Sequence, residues 1–124
     1  MACTVVIVED ADICSTVLEI ALVGMPGISI KSAASAEEAL EYLDHRDICA
    51  LITDLHLPHM DGFELIKRVR NRPNRPRLPI VVISGDTDPR TPERVQRLGA
   101  DAFFTKPYSP GEVRQKLEQL IHGT

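Results

Sequence analysis

The chain has 124 residues, 44% of them hydrophobic and 26% charged, and a formal net charge of -4. That is the length of one domain, residues 1–124, with enough chain to bury its own core and a composition ordinary for a soluble globular protein. No apolar run approaches the roughly 20 residues of a membrane helix, and the N-terminus lacks a signal-peptide pattern, so the expectation is a cytoplasmic protein with no membrane contact.

The charge is unevenly placed. Residues 1–62 hold eleven acids and two bases, and residues 63–124 hold seven acids and twelve bases. The three cysteines, Cys3, Cys14 and Cys49, sit among apolar neighbours without C-x-x-C spacing; the pattern reads as buried, reduced thiols.

In chain order, Thr4–Val8 is a continuous β-branched run, too short for a helix, and predicts a strand buried on both faces. It ends in Glu9-Asp10. Asp12 is placed to cap a helix with Ile13, Val17, Ile20 and Ala21 on one face, stopped by Gly24 and Pro26-Gly27. Ile28–Ala33 alternates and predicts an edge strand. Ser35-x-x-Glu38 is a capping box for a helix with Ala39, Leu40 and Leu43 inward. Cys49–Thr53 predicts the third strand, which ends in Asp54. Gly62–Arg70 predicts a helix on the stripe Phe63, Ile66, Val69. Residues 71–79 contain three prolines and read as loop. Ile80–Ile83 predicts the fourth strand, ending in Ser84. Thr91-Pro92 reads as an N-cap with proline at the first helical position, opening a short helix that ends near Gly99. Ala102–Thr105 predicts the fifth strand, ending in Lys106-Pro107. Ser109 or Pro110 starts a last helix that buries Val113, Leu117, Leu120 and Ile121.

Five apolar strands alternating with five amphipathic helices predict an α/β fold: a doubly wound parallel sheet with helices on both faces, three layers in all. Such sheets bind ligands beyond the carboxyl ends of their strands. Those ends carry Glu9-Asp10, Asp54, Ser84 and Lys106. Clustered carboxylates repel and call for a hard divalent cation, for which Mg²⁺ is the natural candidate. A carboxylate is also a competent nucleophile for phosphoryl transfer, with a metal, an ammonium and a hydroxyl available to neutralise the phosphoryl oxygens.

Four segments carry a family resemblance: Val5-Val-Ile-Val-Glu-Asp10, Asp54-Leu-His-Leu-Pro-His-Met-Asp-Gly62, Ile83-Ser-Gly85 and Gly99-Ala-Asp-Ala-Phe-Phe-Thr-Lys-Pro107. In order and spacing they resemble the receiver domain of bacterial two-component response regulators, over the whole chain. The resemblance implies a flavodoxin-like (βα)5 sheet of order 2-1-3-4-5. It implies that Asp54 accepts a phosphoryl group from the phosphohistidine of a sensor histidine kinase or a histidine phosphotransfer protein. It implies a Mg²⁺ site, which Mn²⁺ also fits, made by Glu9 through water, Asp10, Asp54 and the backbone carbonyl of His56. Lys106 is then the partner of the acyl phosphate, with a cis bond to Pro107, and Ser84 and Phe103 are the switch hydroxyl and switch aromatic. Phosphorylation would bias the face made by the fourth helix, fifth strand and fifth helix toward an effector protein, an output domain or a homodimer. Such a domain is no enzyme with an external product; it catalyses only its own phosphorylation and autodephosphorylation.

Three points depart from the common pattern: Glu9 where Asp is usual, Phe103 in place of Tyr, and Gly85 leaving the phosphoryl edge open. Arg90, Arg94 and Arg97 recur at i, i+4, i+7 and mark a candidate docking stripe for an acidic partner. Few aromatics interleave with the bases, which argues against direct nucleic-acid binding. Three other readings stand beside this one: a receiver cut from a hybrid kinase or longer regulator, a haloacid-dehalogenase-like phosphatase, and a degenerate interaction module. The phosphatase lacks its second acid, since His56 stands two residues after Asp54, and the intact acidic, hydroxyl and lysine positions argue against degeneracy. Met1 close to the first strand is consistent with a free-standing receiver.

Overall fold

In the computed structural model, the described residues are 3–10, 12–45, 47–73 and 77–122; the side chains of residues 12–15 and 45 fall outside the description. The elements run β1 (Cys3–Val8), α1 (Asp12–Leu22), β2 (Ile28–Ala33), α2 (Ala36–His45), β3 (Ile48–Asp54), α3 (Gly62–Arg70), β4 (Ile80–Ser84), α4 (Thr91–Leu98), β5 (Ala102–Thr105) and α5 (Pro110–His122). All strand pairings are parallel, in the order β2-β1-β3-β4-β5. This is the flavodoxin-like arrangement, with β2 at one edge and β5 at the other.

Alternation of side chains across the central strands builds two cores. Val6, Val8, Leu51, Ile80 and Val82 point toward α2, α3 and α4, where they meet Leu43, Leu65, Ile66 and Val95. Val5, Ile7, Ala50, Ile52, Val81 and Ile83 point the other way and meet Leu18, Leu22, Val113 and Leu117. Strands buried on both faces explain why β1, β3 and β4 read as unbroken apolar runs.

Local signals place most boundaries. Ser35 Oγ accepts from Glu38 N at 3.1 Å, and Asp61 Oδ1 accepts from Glu64 N at 2.9 Å, capping α2 and α3. α4 is offset by one residue: its N-cap is Arg90, without a side-chain cap bond, and Thr91 is a buried first helical residue followed by Pro92. Gly99 closes α4 in the left-handed region, φ 110°.

Two expectations are corrected. Val17 and Ile20 are 42% and 70% exposed, and Leu18, Leu22 and Met25 are buried instead. α1 is apolar on more than one face, so its sequence offers two stripes one residue apart; the one that carries Leu18 and Leu22 takes the core. Ala21 is partly buried, and the side chain of Ile13 lies outside the described residues. The second correction concerns the thiols. Cys3 and Cys49 form a disulfide, Cα–Cα 5.7 Å, and both are only partly buried. β1 and β3 are neighbours, and their register slips between Thr4 and Val5, so that Thr4 pairs with Ile48 and Val5 with Ala50. Cys49 is the extra residue of that bulge, brought against the start of β1 from 46 positions away. The side chain of Cys14 lies outside the described residues.

Candidate functional site

Four strands deliver their last residues to one edge of the sheet. Thr53 pairs with Val8 and Asp54 with Ile83, so Glu9, Asp54 and Ser84 follow one another across adjacent strands. Ser84 pairs with Thr105, which puts Lys106 next along that edge. Only β2 ends there without a reactive group, in Ala33.

Asp54 is 5% exposed and fully engaged. Its Oδ1 accepts from Leu55 N at 2.6 Å and His56 N at 3.2 Å, and its Oδ2 accepts from Lys106 Nζ at 2.7 Å. Lys106 Nζ also donates to Glu9 Oε2 at 2.9 Å. Burial alone would lower the lysine pKa; the hydrogen bonds and charges of Asp54 and Glu9 outweigh it and hold the ammonium well above its ordinary value. The Lys106–Pro107 peptide is cis.

Backbone geometry sets the acid's position. Gly62 packs against the end of β3: a Cβ there would lie 2.2 Å from Asp54 O and 2.7 Å from Leu55 Cα. Gly62 N donates to Leu55 O at 2.9 Å, and Thr53 Oγ1 donates to Asp54 O at 2.8 Å. His59, at φ 65°, turns the loop that leads back to Gly62.

Oxygens of Glu9, Asp10 and Asp54 lie within 4.8 Å of one another. Glu9 and Asp54 are buried and Asp10 is exposed. Three carboxylates against one ammonium leave two negative charges, and the donors are hard oxygens; a divalent cation such as Mg²⁺ fits both. Ser84 is fully buried, its Oγ accepting from Asp86 N at 3.1 Å. Asp86 Oδ2 lies 3.4 Å from His56 Nε2, joining the β3–α3 and β4–α4 loops beside the site. This contact had no signal in the sequence, because it depends on the relative height of two loops.

Phe103 and the arginines of α4 stand apart from this cluster, whereas Ser84 lies within it. Phe103 is partly buried on the α4 side of the sheet, where it lines a cavity of ≈ 250 Å³ with Pro92, Val95 and Ala100. Arg94 stacks on the ring of Phe63 at 3.7 Å. Arg90 and Arg97 are paired within the chain, to Asp88 and Glu93. The stripe is therefore a set of paired or stacked cations.

The family model for the response regulator receiver domain matches residues 5–118. The chain belongs to that family. A solved receiver domain fold agrees: the response regulator receiver protein from Pseudomonas putida shares 34% identity, covers 100% of this chain and 98% of its own, and superposes with a TM-score of 0.83. The two-component response regulator ORR3 of Oryza sativa subsp. indica is 32% identical over 93 residues, 74% of this chain and 71% of ORR3. The gliding motility regulatory protein of Myxococcus xanthus is 32% identical over 102 residues, 82% of this chain but 13% of that protein. This receiver domain thus matches both short regulators and a small part of long ones. The family is a phosphoacceptor switch of two-component signalling.

Proposed function

We propose that Asp54 is the phosphoacceptor of this receiver domain, with a sensor histidine kinase or a histidine phosphotransfer protein as donor. The observation that carries the reading is the buried Asp54 carboxylate held at one oxygen by two backbone N–H groups and at the other by Lys106. That grip fixes the acid's direction in a low-dielectric site beside Glu9 and Asp10. The carboxylate attacks phosphorus, an O–P bond forms as the donor's N–P bond breaks, and the imidazole leaves neutral with the proton of its other nitrogen. Lys106 then shifts its ammonium from a carboxylate oxygen to a phosphoryl oxygen, and the Ser84 hydroxyl turns to donate its O–H to the phosphoryl group. Asp10, Asp54 and the His56 carbonyl, with Glu9 through water, would hold Mg²⁺, or Mn²⁺ in its place, which would supply charge neutralisation for the transferred group. Hydrolysis of the acyl phosphate by water resets the site.

The readout face is α4, β5 and α5. Movement of Ser84 is felt along β4–α4, and the cavity beside Phe103 gives its ring room to turn. Phe103 has no hydroxyl tip, so its response is one of packing alone. An effector protein, output domain or second copy would read that face, and Arg94 and Arg97 are the docking cations. The setting is cytoplasmic; among the described residues no helix is long and apolar enough to cross a membrane.

Acetyl phosphate with Mg²⁺ should add one phosphoryl mass to the intact chain, and chelation of the metal should abolish it. Label that is indifferent to chelation would remove the metal from the reading. Sustained turnover of phosphate esters would favour a hydrolase instead.

A further inference from the structure

The Cys3–Cys49 bond has no part in phosphoacceptance, yet it joins the two strands that carry the acid cluster, at their opposite ends. We propose that Cys3 and Cys49 are a reversible thiol–disulfide site, a redox clamp that exchanges with a small-molecule thiol/disulfide couple of the glutathione class.

Three observations support this. The pair is pre-positioned, because the β3 bulge at Cys49 brings its Cα within 5.7 Å of Cys3. Both residues are only partly buried, as exchange with a small thiol requires. The bond also has a local mechanical role. Beside it, the start of β1 is held by backbone pairing with β2 and β3, including Cys3 N donating to Gly27 O at 2.9 Å and Thr4 N donating to Asp47 O at 2.8 Å. In the cytoplasmic setting proposed above, a surface disulfide is a reversible one. The exchange itself requires only the couple.

The chemistry balances. A Cys3 or Cys49 thiolate attacks oxidised glutathione, one glutathione leaves, and a mixed disulfide forms. The second cysteine thiolate displaces the second glutathione and closes the Cys3–Cys49 bond. The two cysteines are oxidised, the glutathione disulfide is reduced to two thiols, and the two cysteine protons end on those thiols. Reduction runs the same steps backward. Closing a loop of this size restricts the unfolded chain, so the oxidised form should melt roughly 10 °C higher than the reduced one.

The test uses the full wild-type chain, without Mg²⁺ or phosphodonor, equilibrated in mixtures of reduced and oxidised glutathione. Trapped thiols are alkylated and peptides mapped without reduction, and melting is followed in parallel. The expected result is a reversible Cys3–Cys49 peptide link that tracks the glutathione ratio, with faster amide exchange at the starts of β1 and β3 when reduced. Cys3→Ser and Cys49→Ser should each abolish both the link and the ratio-dependent melting shift. Cys3 and Cys49 alkylated together at every ratio, a link that involves Cys14 instead, or a link with no melting shift would overturn the proposal. Because no step involves Asp54, a negative result leaves the phosphoacceptor reading untouched.

Discussion

Lys106 holds two acids with one ammonium, and its removal separates two effects. Lys106→Met removes the ammonium shared by Glu9 and Asp54, so phosphoryl acceptance should fall by roughly 10- to 100-fold, the worth of a charge-assisted contact. The same change should tighten Mg²⁺ binding several-fold, since a cation that competes for the carboxylates is gone. Isothermal titration separates the two; weaker metal binding in the variant would contradict the arrangement. The raised lysine pKa gives a pH signature. The folded value lies above the unfolded one of about 10.4, so the stabilisation is complete below pH ~10 and is lost as pH rises further. Wild-type stability should fall with pH in that alkaline range more steeply than that of Lys106→Met. Gly62 is as constrained as the acid it touches. Gly62→Ala pushes a Cβ into Asp54 O and should cost about 3 kcal/mol in denaturant unfolding while displacing the acceptor.

Among the elements, α4 is anchored at one end by a side chain from α3. Arg70 donates Nε and an Nη to Gly99 O at 3.0 and 2.7 Å, another Nη to Leu78 O at 2.6 Å, and meets Asp101 at 3.2 Å. Asp101 Oδ2 in turn accepts from Ile80 N at 2.8 Å. α3, α4, β4 and β5 are thus tied at the end of the sheet opposite the acids. Arg70→Ala should destabilise the fold by about 2–4 kcal/mol, and Arg70→Lys should recover little of it, since one ammonium cannot replace the guanidinium fork. The α4 arginines should behave differently. The pairs of Arg90 and Arg97 are exposed and worth about 1 kcal/mol or less. Arg94→Glu with Arg97→Glu should keep the fold and weaken an acidic partner at low salt; unchanged partner affinity would dismiss the stripe as a docking surface. What the sequence made visible here follows from local pattern: the β strands with no polar side, the capping serine of α2, and the glycine that ends α4. What it hid depends on distance in three dimensions. The anchoring bonds of Arg70 reach 8 to 31 positions along the chain, and the disulfide depends on a bulge. The buried stripe of α1 was ambiguous because two apolar faces compete.

For the molecule as a whole, the two cores fix the sheet so rigidly that the four reactive strand ends converge without any contact between them in sequence. The site residues were legible for that reason: parallel topology sends every strand's end to one edge, and only chemistry-bearing residues there needed notice. The switch roles expected of Ser84 and Phe103 came only from family likeness, since a buried hydroxyl and a half-buried ring look structural in isolation. The central claim is that this edge makes Asp54 a nucleophile. It is tested most directly by phosphorylating the chain with acetyl phosphate and Mg²⁺, reducing the acyl phosphate in place with borohydride, and mapping the modified residue by peptide mass. The account predicts modification at Asp54 in the wild type and none in Asp54→Asn. Modification that persists in Asp54→Asn at the wild-type level, or that maps to Glu9 or Asp10, would contradict it.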